Sequence, residues 1–303
     1  MPGTDGPVDP AGPADAGTRR KTAEDGPVTP PPAPVVAPGA VRRWLWLGLR
    51  DFAAMPMASL FYGFMFVAMA FVLEIFMRDG AWMLAFVTGF ALVAPFLAIG
   101  LYALSRDRSG GGKGRDAGGD AGGDARDKPA PAMASFIASL SAWRMNFGQV
   151  AIYGVVLTLL LAAWVRVSVV LVALFFDQPA TTLAELAAGL ARDPEGLVFF
   201  AVYFIVGGGF AWLVFATGVV SLPMMLDRPV DVLSAMIWSM QAALTNGATM
   251  IRWAATIAAL VGLGMLGRFL PLALIVPVIG HASWHVYREL AGGQGPMDGS
   301  GVK

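Results

Sequence analysis

Long apolar runs alternate with short polar breaks from residue 57 to residue 286. A helix needs about 20 apolar residues to cross the hydrocarbon core of a bilayer. On that length the pattern predicts about six membrane spans, near 57–77, 81–104, 147–168, 197–220, 248–266 and 268–286. The third run stays apolar to residue 176, long enough to span and then tilt or lie in the interface. The fifth and sixth runs are close together, with Arg268 and Pro271 at their turn, and are the least secure as full spans. A polar, partly helical loop with Thr181 or Thr182 as a cap is expected over 177–196. The fold expected is all-α, a polytopic membrane helix bundle.

A second periodicity precedes each odd-numbered span. Trp44, Leu45, Leu49 and Phe52 share one face of a short segment whose Arg43 and Arg50 lie on another. Phe136, Leu140, Trp143 and Phe147 form a similar stripe, as do Leu233, Met236, Ile237, Met240 and Leu244. Spacing of three and four residues marks amphipathic helices, ended here at Pro56, Asn146 and Asn246. Each even-numbered span carries a proline near the matching end: Pro95, Pro223 and Pro277. The chain thus predicts a threefold pseudo-repeat, each unit an interfacial amphipathic helix followed by a membrane hairpin, with prolines that free a carbonyl and kink the helix.

Polar composition sets the rest of the organisation. Residues 1–40 are rich in proline and glycine and predict a disordered tail. Arg19-Arg20 has no apolar stretch after it of the kind a twin-arginine signal needs, and no cleavable signal peptide is expected. Residues 107–131, with repeated Gly-Gly-Asp-Ala, predict a flexible linker inside a membrane domain of 41–290, and 291–303 a second disordered tail. Lys and Arg gather on one side: Arg19, Arg20, Lys21, Arg42, Arg43 and Arg50 before the first span, Arg106, Arg108, Lys113, Arg115, Arg126, Lys128 and Arg144 after the second, Arg228 and Arg252 after the fourth, Arg288 and Lys303 at the end. The other side has Arg78, Arg192 and Arg268. By the positive-inside rule both termini are cytoplasmic.

Composition narrows function mostly by exclusion. Charged residues make up 14% of the chain, against about a quarter in soluble domains, and the net charge is zero, which gives nucleic acid no handle. Absence of cysteine excludes thiolate metal sites, iron–sulfur clusters and cysteine nucleophiles. Two histidines, His281 and His285, cannot build a multi-haem centre on bis-histidine ligation.

Charges inside spans cost about 2.5–3.5 kcal/mol at mid-membrane on insertion scales, so each requires a reason. Glu74 is 18 residues past Pro56, and Arg166 is 20 past Asn146, so both sit at similar depth. An intramembrane Glu74–Arg166 ion pair is the sharp expectation. Independent snorkelling to the interface and a proton or substrate relay are the alternatives. At the cytoplasmic end Asp227, Arg228, His281, His285 and Arg288 form a candidate polar cluster. His281 and His285, one helical turn apart, are the only candidate metal ligands, and the ordinary reading is an interfacial aromatic and polar belt. Neither a catalytic constellation nor a cofactor motif is present; Gly207-Gly208-Gly209 lies in an apolar span, lacks a following Lys-Ser/Thr, and suits close helix approach or a hinge.

Several short motifs are familiar together: Leu47-Gly48-Leu49-Arg50-Asp51, Pro56, Ser59-Leu60 and Tyr62-Gly63; Gly89-Phe90, Pro95, Gly100-Leu101-Tyr102 and Ser105-Arg106; Ser221 through Arg228; Pro277, Gly280-His281, Trp284-His285 and Tyr287-Arg288. Over roughly 44–290 the chain resembles the bacterial predicted integral membrane proteins known as domain of unknown function 2189. The resemblance implies a bacterial inner-membrane protein of about six helices and transfers no activity or catalytic residue; the 107–131 stretch looks like an insertion. The expectation is a non-catalytic membrane scaffold or assembly component. A small-molecule permease is the alternative, and a membrane-embedded metal-dependent enzyme a distant second. Expected partners are the lipid bilayer and an unknown membrane protein or small-molecule substrate, with no cofactor and no nucleic acid.

Overall fold

The structure, a computed structural model, describes residues 33–76, 80–109, 132–175 and 194–291. All but the last three residues of the expected loop over 177–196, which open a helix at Pro194, most of the 1–40 and 107–131 segments and all but the start of the 291–303 tail lie outside the described residues. All regular structure described is helical. In chain order it comprises α1 (Ala40–Ala54), α2 (Pro56–Phe76), α3 (Gly80–Arg108), α4 (Ala132–Ser141) with a 3-10 turn (Ala142–Asn146), α5 (Phe147–Phe175), α6 (Pro194–Gly218), α7 (Ser221–Asp227), α8 (Val232–Thr245), α9 (Gly247–Leu266) and α10 (Leu272–Ala291).

Four stretches among the described residues are long and apolar enough to cross a membrane: Pro56–Ile75, Met133–Phe175, Gly196–Asp227 and Gly247–Leu266. They contain the third, fourth and fifth predicted spans and all but the last two residues of the first. The second falls in α3, whose 29 residues reach about 44 Å. The sixth differs from expectation: residues 268–271 form a turn, and α10 runs on to Ala291 with a polar second half. That turn is tight. Arg268 (φ 50°) and Phe269 (φ 66°) both adopt the left-handed region, which costs a side-chain-bearing residue about 1–2 kcal/mol. Phe269 donates its N–H to Gly264 (3.1 Å) and sets its ring edge-on to Phe71, which ties the turn to α2.

The short helices bury faces that hydrophobicity does not mark. In α8 the buried residues are Ala235, Trp238, Ser239, Ala242 and Ala243, while Leu233, Ile237 and Leu244 are exposed. In α4 and its 3-10 turn Ser135, Ser139 and Ala142 point inward, and Ile137 and Leu140 outward. In α1 the inner face is Ala40, Trp44, Gly48 and Asp51, with Trp46 and Leu49 outside. Water would drive the large apolar side chains inward. Where the surroundings are lipid that force is absent, and small residues that let backbones approach take the interface.

α10 is the hub, packing on α1, α2, α3, α7 and α9. A Cβ on Gly48 would lie 2.5 Å from the Val278 carbonyl oxygen, and one on Gly63 2.0 Å from that of Ala273, so α1 and α2 both meet α10 backbone to backbone. The prolines act differently from one another. α3 and α10 run on through Pro95 and Pro277, whereas α6 ends at Gly218 and Pro223 falls in the first turn of α7, where its missing N–H is harmless. Ser239 of α8 repairs that break: its Oγ accepts the Val220 N–H (3.1 Å) and donates to the Ala216 carbonyl (2.8 Å). Between α5 and α6 an apolar groove of about 620 Å³ is lined by Leu157, Leu161, Trp164, Phe210 and Val214. Gly207 there admits the Trp164 ring, while Gly208 and Gly209 face open space.

Candidate functional site

Where α1, α2, α3 and α10 converge, polar side chains meet in the interior. Ser59, Ser105 and His281 are fully buried and Asp51 is 5% exposed. Asp51 arrives on the inner face of α1 because it follows Trp44 and Gly48 by seven and three residues. Ser59 lies in the first turn of α2, Ser105 in the last turns of α3, and His281 and His285 one turn apart on α10.

Asp51 Oδ2 accepts from Ser105 Oγ (2.8 Å) and from His285 Nε2 (2.9 Å), and its Oδ1 faces Arg108 Nε at 3.0 Å. Ser105 Oγ also lies 2.7 Å from His281 Nδ1, and His281 Nε2 lies 2.9 Å from Ser59 Oγ. Proton counting orders the chain. An ionised carboxylate only accepts, so the single Ser105 hydrogen goes to Asp51. Ser105 Oγ must then accept the Nδ1–H of His281, and a neutral ring leaves Nε2 to accept from Ser59. Every bond runs in one direction, from Ser59 through His281 and Ser105 to Asp51. Burial opposes the Asp51 charge. The bonds from His285 and Ser105, and the two nearby imidazoles, outweigh it and hold the carboxyl below its ordinary value of 3.8.

A second tie fastens α1 to α10 two turns away. Glu289 Oε2 accepts from Trp44 Nε1 (2.8 Å), and its Oε1 pairs with Arg43. Trp44 in turn sets its ring edge-on to Trp253 of α9, with centroids 5.9 Å apart.

The predicted site residues separate into three places. His281 and His285 belong to the Asp51 junction. Both His281 nitrogens are engaged by serines, and among the described residues no group of three or more His, Asp or Glu is placed to hold a metal ion. Asp227 and Arg228, at the end of α7, are 3.6 Å apart; Asp227 Oδ2 accepts from the Tyr287 hydroxyl and Arg228 reaches the Ala291 carbonyl at 3.5 Å. Arg288 is exposed on α10 and shares neither group. The expected Glu74–Arg166 pair is replaced by another: Glu74 Oε1 faces Arg268 at 3.6 Å, because α2 packs on α10, while α5, which carries Arg166, packs on α3 and α6. Arg166 is exposed and has no ion pair among the described residues. Phe71, Glu74, Ile75 and Arg268 border an open recess of about 270 Å³.

Asp51, Ser59, Ser105 and Arg108 were not predicted as a site. Three of them stand in the family-like motifs, but Asp51 sits at the edge of the α1 apolar stripe beside Arg50, where a carboxylate reads as solvated, and serines carry no charge to flag them.

An all-helical structure with four stretches able to span a membrane and large apolar side chains turned outward is that of an integral membrane protein. Residues 83–116 and 125–227 match the family described as Predicted integral membrane protein (DUF2189), the family that the sequence motifs resemble. The match breaks within the Gly/Asp-rich stretch and leaves the opening and closing motifs, with Asp51, Ser59 and His281, outside its bounds. No curated protein and no solved structure matches the chain.

Proposed function

We propose that this protein is a non-catalytic scaffold or assembly component of the bacterial inner membrane, with six spans, cytoplasmic termini and three units of interfacial helix plus hairpin. The observation that carries this reading is the Asp51 junction. Its carboxylate serves three donors and His281 uses both nitrogens, so the buried polar groups of this junction are spent on joining α1, α2, α3 and α10. The order short helix, long helix, long helix occurs three times in the chain and supports the three-unit reading, as the Lys/Arg asymmetry supports the orientation.

Crosslinking in the native membrane tests the scaffold role. A scaffold yields a reproducible protein partner whose capture falls when Asp51→Ala weakens the junction of α1 with α10. Failure to crosslink any partner above a tag-only control contradicts it. A small-molecule permease is the second reading, favoured by the Glu74–Arg268 recess at the far end of α2 from Ser59. Substrate flux abolished by Glu74→Gln would establish that reading instead.

A further inference from the structure

We propose that the α8–α9 junction is a seat for an extended, proline-containing peptide of the pattern Ala-Pro-x-Val, filled in this structure by the chain's own residues 33–36. This segment precedes α1 and has no helical hydrogen bonds of its own. It nevertheless enters the core: Ala33 is 7% and Val36 8% exposed, while Val35 between them is 81% exposed. Buried positions three apart match the three-residue turn of a polyproline II strand, the form in which proline-containing ligands dock.

Asn246, at the junction of α8 and α9, reads the backbone of this segment at two points. Its Oδ1 accepts the Val36 N–H at 2.7 Å and its Nδ2 donates to the Pro34 carbonyl at 3.0 Å. The second Nδ2 hydrogen goes to the Ala242 carbonyl (3.1 Å), which fixes the amide orientation from within α8. The contacts are those of peptide recognition: main-chain groups read by one oriented amide, two small side chains buried in the core, and the two intervening side chains, Pro34 and Val35, left outside. Gly39 (φ 78°) then turns the chain sharply into α1. A seat that reads backbone and small side chains accepts the same pattern from another chain once the strap lifts. The inference does not depend on the choice between scaffold and permease.

The 303-residue chain has no cysteine, so Val35→Cys gives a single attachment point for a nitroxide at an exposed position. In detergent or nanodiscs the label is expected to be immobilised. Asn246→Ala or Val36→Asp should each raise the mobile population about tenfold, as loss of two hydrogen bonds or a buried methyl pair implies. Excess synthetic peptide of residues 32–40 should mobilise the label saturably, and the same peptide with Val36→Asp should not. Because Val36→Asp lies on the strap, it tests the seat even where Asn246→Ala disturbs α8. A label already mobile in the Val35→Cys protein, or a wild-type peptide no more effective than its Val36→Asp form, would overturn the proposal.

Discussion

Asp51 decides how α1 docks, and its neighbours state what its loss costs. Asp51→Ala strands His285, Ser105 and the Arg108 guanidinium, and breaking a buried charged pair typically costs about 3–5 kcal/mol. Thermal melting of the purified protein should show that loss. Asp51→Asn, which keeps shape and one acceptor, should lose less. The pH dependence has a defined sign. Because folding lowers the Asp51 pKa, its contribution is fully present above the ordinary value of 3.8 and disappears as pH falls through the lower folded-state value. The melting temperature should therefore drop on that acid limb, and Asp51→Asn should flatten it. At this scale the sequence was partly legible. His281 and His285 stood out as the only imidazoles, but their partners did not. The Glu74 partner was misassigned because depth along two helices says nothing about which helices touch.

Among the helices, legibility was high for position and low for facing. The order of short and long helices follows from apolar run length and breaking residues such as Pro56, Asn146 and Asn246. Facing does not, because Ala242 and Ser239, rather than Leu244 and Ile237, form the inner stripe of α8. Small residues at helix crossings should thus matter more than large ones. Gly63→Ala drives a Cβ to 2.0 Å from the Ala273 carbonyl and should destabilise the protein by about 1–3 kcal/mol, read as a lower melting temperature. Gly208→Ala meets nothing within 4 Å and should be neutral or stabilising by up to about 1 kcal/mol, since alanine is the better helix former. Equal losses at the two glycines would contradict the packing described.

For the whole molecule, the claim is that a membrane bundle closes its polar interior around α10 and holds it shut. Composition announced the membrane. The closure was hidden, because Asp51, Ser59, Ser105 and His281 come from four helices and no local pattern joins them. Labelling of Ser59→Cys, the sole cysteine of that variant, by a membrane-impermeant maleimide tests the closure most directly. A dry, helix-joining junction predicts no labelling of the folded protein from either side of the membrane and complete labelling after denaturation. Rapid labelling in the folded state would contradict it and open the junction to water.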